Sequence, residues 1–159
     1  MPGKMNVSGT RNHNPSGMIE ALLIPLYIRA VESERPDALL KDERAVALVR
    51  QMGYDFSRVE QAQVAEETRV AVVLRSREFD RRAHDFLARC PESVVVHIGC
   101  GLDSRFERVA ERNGQVEWYD LDLPEVIELR RKYIGGEETR YHLLASSCRK
   151  NQVTSDCER

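Results

Sequence analysis

The residues of this chain whose types and spacing could do chemistry lie in two short motifs, roughly 20 residues apart. The first is the glycine turn Gly99-Cys100-Gly101, which follows the apolar run Val94–Ile98, and the second is the acidic pair Asp120 and Asp122. A strand that ends in Gly-x-Gly lets the backbone turn tightly beneath a ligand, and an acid at the end of the next strand can accept hydrogen bonds from ribose hydroxyls. Together the motifs are typical of half of a binding site for an adenosine-containing cofactor.

Three strands and the helices between them must hold these motifs in place. Residues 94–98 are apolar on both faces, which favours an interior strand of a parallel sheet that helices cover. Asp103 or Ser104 can cap the helix that follows. Residues 116–121 and 141–145 have the composition of a second and a third strand, so the expected order is strand, helix, strand, helix, strand (βαβαβ).

Three helices are expected before the first strand. Apolar residues 18–31 form either one buried helix or two short helices bent at Pro25. Residues 37–52 repeat apolar side chains at helical spacing, and residues 57–60 have the spacing of a capping box that opens a long amphipathic helix ending near Arg89. The expected apolar side of that helix comprises Val64, Ala71, Leu74, Phe79, Ala83, Phe86 and Leu87.

Composition and charge argue against several classes of protein. The 159 residues fit one domain, and a net charge of -2 without a basic stripe argues against a nucleic-acid partner. No apolar run is long enough to cross a membrane and the N-terminus lacks the apolar core of a signal peptide, so a cytoplasmic protein with no membrane association is expected. Four cysteines form no Cys-x-x-Cys pair and have no histidine at ligand spacing, so neither a metal site nor a disulfide framework is predicted.

The combination of Arg75, GCGLDSR at 99–105 and DLDLP at 120–124 resembles the leucine carboxyl methyltransferase family, particularly its bacterial branch of polyketide-type O-methyltransferases. This resemblance spans residues 17–147. It implies an α/β fold in which N-terminal helices precede the first βαβαβ half of a Rossmann-like class I methyltransferase, with an incomplete sheet. It also implies S-adenosylmethionine as cofactor and a reaction that transfers its methyl group to a carboxylate or hydroxyl oxygen of a small-molecule or polyketide-like acceptor.

The resemblance implies roles for three residues that would lie against the cofactor. Arg75 stands where the family places an arginine that grips the methionyl carboxylate, a task that suits a planar guanidinium. Gly99 and Gly101 would bring the backbone close to the cofactor, where any side chain would occupy the ligand's space. On the residues alone, an exposed helix arginine and a plain tight turn remain as alternatives.

Acidic residues of the two motifs complete the implied site. Asp122 occupies the position that the family uses for the ribose hydroxyls, with Asp120 as the second candidate, although Asp122 could equally stabilise a helix N-terminus. Asp103 and Arg105 resemble the family's supporting pair beside the loop. No residue is assigned as a catalytic base, because a histidine inside an apolar strand, such as His97, is more typical of a packed side chain.

The resemblance and the composition together predict how the chain is divided. Residues 1–16 are expected to form a flexible arm, and residues 17–147 a partial methyltransferase domain. That domain comprises a helical cap at 17–91 and a Rossmann-like half at 92–147. Residues 148–159 lack apolar periodicity and are expected to be an unstructured tail.

Family members have further strands after this point, and one of them would pair with the free edge of the strand at residues 94–98. The chain is therefore expected to expose this apolar edge and to self-associate through it, and a three-stranded sheet that lacks helices on one face is expected to expose an apolar patch as well. An alternative function is that of a truncated, catalytically inactive remnant that binds the cofactor. A nicotinamide-dependent oxidoreductase is disfavoured, because Ser104 stands where the dinucleotide fingerprint has its third glycine.

Overall fold

Helices come first and a parallel sheet follows. The computed structural model describes residues 15–57, 59, 65–110, 115–135 and 139–146, with only the backbone of residues 15–20. The elements in chain order are α1 (Pro15–Ser33), α2 (Glu43–Met52), α3 (Glu66–Leu87), β1 (Val94–Ile98), α4 (Arg105–Val109), β2 (Glu117–Asp122), α5 (Pro124–Tyr133) and β3 (Tyr141–Ala145). The predicted α/β class and its βαβαβ order are confirmed. The expected arm and tail lie almost entirely outside the described residues.

The sheet has the strand order β1-β2-β3, and both pairs of strands are parallel. Val95 lies opposite Trp118, and Trp118 lies opposite Tyr141. Helices α4 and α5, which connect the strands, pack on the face of the sheet that carries Trp118 and Tyr141. The main core of the sheet therefore lies on that face. That core comprises Leu87, Cys100, Val109, Ala110, Val116, Trp118, Ile127, Tyr141 and Leu143.

Among the described residues no helix covers the opposite face of β1, so the expected helical cover is present on one face only, and the apolar patch expected of an incomplete sheet is exposed. Val94, Val96 and Ile98 are 64%, 53% and 76% exposed. The physical reason is that α4 and α5 both contribute to the core on the other side of the sheet. Among the described residues only β2 pairs with β1, so one edge of β1 also has free backbone groups.

The helical layer is built from α1 and α2. A single helix passes through Pro25, so the alternative of two bent helices is wrong within the described part of the chain. Helix α2 begins later than expected, because Asp42 caps it by accepting a hydrogen bond from Ala45 N at 2.9 Å. Gly53, with φ of 58°, ends it in the left-handed conformation. The capping-box pattern at residues 57–60 falls partly outside the described residues.

The buried side of α3 differs from the predicted apolar side. Leu74, Phe79 and Phe86 are exposed, whereas the buried residues of the helix are Val73, Ser76, Asp80 and Leu87. These four also follow helical spacing, but two of them are polar. The helix turns this face inward because Asp80 forms ion pairs there with two arginines of α4, a tertiary contact that apolar periodicity does not reveal.

Candidate functional site

The glycine turn lies where β1 ends. Gly99 and Gly101 have φ of 67° and 52°, a region that residues with a Cβ rarely adopt. The amides of Gly99 and Cys100 both donate to the carbonyl of Leu121, at 2.8 and 3.3 Å, so the turn continues the pairing of β1 with β2. A Cβ on Gly99 would have no atom within 4 Å, whereas one on Gly101 would lie 3.2 Å from Leu22 Cδ2. Open space therefore adjoins Gly99, at the carboxyl end of the parallel strands, where such sheets bind ligands.

Asp122 meets the glycine turn directly. Its Oδ2 accepts a hydrogen bond from Gly101 N at 2.7 Å, and its Oδ1 accepts one from Leu123 N at 2.7 Å. The residue is only half-buried. Since each carboxylate oxygen can accept two hydrogen bonds, one site on each oxygen has no described protein donor. The structure thus brings together two of the sequence-predicted site residues, Gly101 and Asp122.

Asp120, by contrast, points into the core and is fully buried. Its Oδ1 accepts from His97 Nδ1 at 3.0 Å and Trp118 Nε1 at 2.8 Å, while its Oδ2 accepts from Tyr141 Oη at 2.7 Å and from Arg130. These four donors fill the carboxylate, so the structure corrects its assignment as second candidate for the ribose hydroxyls. Burial would raise the pKa of Asp120, but these donors and the Arg130 charge hold it below its usual range.

Asp103 and Arg105 form an ion pair at 2.9 Å beside the turn. Arg105 also contacts Asp80 of α3 at 2.9 Å, and Arg108 joins Asp103 and Asp80 at 2.9 and 2.6 Å. Burial would raise the pKa of the Asp103 carboxyl, but nearby arginines lower it far below its usual range. The pair therefore belongs to an ionic cluster that docks α3 against the first helix after the turn.

His97 bridges this ionic cluster and the buried Asp120. Arg105 Nη1 lies 2.9 Å from His97 Nε2, and because an arginine can only donate, Nε2 must accept. The ring proton is then on Nδ1, which donates to Asp120 at 3.0 Å. Both ring nitrogens have protein partners, so the imidazole has no free nitrogen to act as a base on a substrate.

Arg75 lies on the exposed surface of α3, five residues before Asp80. It makes no hydrogen bond or ion pair with any described residue, including those of the glycine turn. Other α3 arginines are engaged: Arg69 with Glu32 at 2.6 Å, and Arg81 with Asp85 at 2.7 Å. The structure therefore leaves the guanidinium of Arg75 available for an anion without bringing it into contact with Asp122.

Sequence reasoning did not identify two buried arginines that contact the turn. Arg29 comes from α1 and Arg130 from α5, and both are almost fully buried. Arg29 is the charged residue of the apolar segment LLIPLYIRAV, and this was a usable signal. Arginines are rarely buried without a partner, so an arginine in such a segment is expected to have one. Arg130 stands beside two exposed cations, Arg131 and Lys132, and nothing in that run singles it out.

The cysteine inside the turn is chemically inert at neutral pH. Burial raises the pKa of Cys100 to about 12, so the side chain is a neutral thiol rather than a nucleophilic thiolate.

No group of three or more potential metal ligands occurs among the described residues. In the same part of the chain, no helix is both long and apolar enough to cross a membrane.

The parallel sheet, the glycine turn after β1 and the acid after β2 define a Rossmann-like α/β protein. A model of the leucine carboxyl methyltransferase family matches residues 23–158, and the chain belongs to that family. The match continues beyond residue 147, where the motifs ended the expected resemblance. The family inferred from Arg75, the turn and the DLDLP motif is therefore confirmed.

Curated relatives are similar to this chain over part of their own length. The tetracenomycin polyketide synthesis O-methyltransferase TcmP of Streptomyces glaucescens is 40% identical over 132 residues, which are 83% of this chain and 47% of TcmP. An S-adenosyl-L-methionine-dependent methyltransferase of Gibberella zeae is 35% identical over 123 residues, covering 74% of this chain and 41% of the relative. A putative S-adenosyl-L-methionine-dependent methyltransferase of Mycobacterium sp. (strain KMS) is 34% identical over 114 residues, which cover 65% of this chain and 37% of the relative. The chain thus spans less than half of each.

Proposed function

We propose that this protein is an S-adenosyl-L-methionine-dependent O-methyltransferase that acts in the cytoplasm on a carboxylate or hydroxyl of a small-molecule or polyketide-like acceptor. The observation that carries the proposal is the contact between Gly101 N and Asp122 Oδ2, beside open space at the carboxyl end of the sheet. The family membership and the names of the relatives support the cofactor and the reaction class.

The residues present fit such a cofactor. Asp122 has unfilled acceptor sites for ribose hydroxyls, and Gly99 leaves room that any side chain would reduce. Arg75 offers the methionyl carboxylate a guanidinium that pairs with no described residue, and the ion pair of Asp103 with Arg105 adjoins the turn. When bound, the cofactor supplies a methyl group already activated on a sulfonium, so the protein's task is chiefly to bind and orient the reactants.

Calorimetric titration of the purified chain with S-adenosyl-L-methionine tests this proposal. We expect Arg75→Ala and Asp122→Ala each to weaken binding at least tenfold, because hydrogen bonds to charged groups contribute about 1.5–3 kcal/mol. Arg77→Ala is the matched control, since Arg77 is another exposed α3 arginine that pairs with no described residue. It should bind as the unaltered chain does.

The outcomes separate the candidate functions. A folded chain that does not bind S-adenosyl-L-methionine, or one that Arg75→Ala and Asp122→Ala leave unaffected, would contradict the proposal. Binding that persists without methyl transfer to a panel of carboxylate and hydroxyl acceptors would instead favour the non-catalytic cofactor-binding remnant. Binding of NAD in the same assay would revive the oxidoreductase alternative.

We also propose that the chain self-associates through the open edge and face of β1. Val94, Val96 and Ile98 form an exposed apolar row beside an edge of β1 that no described strand pairs with, an arrangement that favours pairing with another chain. We expect sedimentation velocity to detect oligomers and Val96→Lys to shift the distribution towards monomer. Leu74→Lys, at an exposed apolar residue of α3, is the control and should leave the oligomers in place. A monomeric unaltered chain would refute this proposal.

A further inference from the structure

Two buried guanidinium groups bind three consecutive carbonyls of the glycine turn. Arg130 Nη1 donates to the carbonyls of Gly101 at 2.8 Å and Asp103 at 2.9 Å. Arg29 Nη2 donates to the carbonyl of Leu102, between them, at 2.9 Å. The arginines are 0% and 4% exposed, so their guanidinium groups are shielded from bulk water.

These bonds determine which way the peptide groups of the turn face. In a planar trans peptide the carbonyl and the following amide point in opposite directions, and no cis peptide occurs among the described residues. Because the carbonyls of Gly101 and Asp103 point towards Arg130, the amides of Leu102 and Ser104 point away from it. The amide of Gly101 is fixed separately, since it donates to Asp122.

Arg130 makes these contacts with the two terminal nitrogens of its guanidinium. Its Nη1 serves the turn, while its Nη2 contacts Asp120 and donates to Tyr141 Oη at 2.8 Å. The planar fork thus links the turn to two other strands through one rigid group. A lysine at this position would keep the charge opposite Asp120 but could not reach both sets of acceptors with fixed geometry.

We propose that Arg130 is a positioning residue that holds the glycine turn in the conformation that binds the cofactor. The proposal rests on the proposed function only in that the ligand of the turn is S-adenosyl-L-methionine. Arg130 itself touches no ligand, since it is fully buried behind the turn. Its effect is exerted through the backbone of residues 101–103.

Arg130→Lys and Tyr141→Phe separate positioning from general stability. Both variants remove a contact from the same buried network, but only Arg130→Lys releases the carbonyls of Gly101 and Asp103. We expect hydrogen exchange of the amides at residues 99–104, measured without ligand, to rise at least tenfold in Arg130→Lys and to change less than twofold in Tyr141→Phe. Calorimetry should show S-adenosyl-L-methionine binding weakened at least tenfold in the lysine variant alone.

The two measurements distinguish which proposal fails. Unaltered exchange at the turn in a folded Arg130→Lys variant would overturn the positioning role, as would equal loosening of the turn in both variants. If exchange responds as expected but the unaltered chain does not bind S-adenosyl-L-methionine, the positioning of the turn stands and the proposed function fails.

A measurement on the unaltered chain covers the case in which Arg130→Lys does not fold. Addition of S-adenosyl-L-methionine should shift the Nη resonances of Arg130, which contact the turn, but not those of Arg140. Arg140 donates to Gln115 O at the opposite end of the sheet. If the cofactor binds and the Arg130 resonances do not move, the positioning role is overturned.

Discussion

Replacing Asp120 with asparagine is expected to lower the free energy of unfolding by about 3–5 kcal/mol, the usual cost of leaving one partner of a buried ion pair uncompensated. The Arg130 guanidinium is fully buried and loses its counter-charge in this variant. Tyr141 and Trp118, which also donate to Asp120, are buried as well. The NH2 group of an asparagine at position 120 would therefore face a group that itself donates a hydrogen bond. The loss is therefore larger than that of one hydrogen bond.

Glu117→Gln provides the matched control for this prediction. Glu117 lies on the same strand but pairs at the partly exposed surface, with Arg140 at 3.3 Å and His142 at 2.9 Å. Exposed ion pairs contribute about 0–1 kcal/mol, so this variant should unfold close to the unaltered chain. Urea unfolding followed by circular dichroism measures both. Similar midpoints for Asp120→Asn and Glu117→Gln would show that the buried network contributes little.

A second large effect is expected on acidification. The pKa values of Asp103 and Asp120 are both lowered in the folded state, because the surrounding arginines and hydrogen-bond donors outweigh the effect of burial. A carboxylate with a lowered pKa stabilises the fold above its unfolded pKa, and this contribution is lost as the pH falls towards the folded pKa. We expect the free energy of unfolding to fall progressively as the pH drops below about 5, with both carboxylates contributing to the loss.

The pKa of Glu107 is shifted in the opposite direction, so its protonation has the opposite effect on the free energy of unfolding and makes the test more specific. Burial raises its pKa, its Oε2 has no partner among the described residues, and Arg44 Nε is 3.9 Å from its Oε1. As the pH falls, protonation of Glu107 therefore stabilises the fold by a small amount. This occurs before the aspartates lose their charge. Urea unfolding across pH 3–7 should show this order. The Asp103→Asn variant should have a shallower loss below about pH 5, and an unchanged slope would exclude Asp103 as a source of the acid sensitivity.

Periodicity and motif spacing were sufficient to predict the framework of the fold. A five-residue apolar run before Gly-x-Gly predicts a short strand, and Gly53 after a helical repeat ends its helix because a left-handed residue is needed there. The same local signals identified Gly101 and Asp122, which the structure joins by a hydrogen bond. The family, too, could be inferred from motifs of contiguous residues.

Partners distant in the chain were beyond such local signals. The helix of residues 66–87 was expected to bury Phe79, but it buries Asp80, because two arginines of the helix after the turn pair with that carboxylate. Asp120 and Asp122 are two residues apart on one strand and of the same residue type, yet one lies in the core and the other contacts the turn. The positions of the two aspartates were predictable from the sequence, whereas their different environments depend on how the helices pack against the sheet.

The sequence by itself thus determined the order of helices and strands, the glycine turn, the acid that meets it and the family of this protein. Only the tertiary structure decided that Arg29 and Arg130 hold the carbonyls of the turn and that His97 is occupied on both nitrogens. The physical reason is that turns and strands follow from neighbouring residues, whereas burial of a charge is decided by partners tens of residues away.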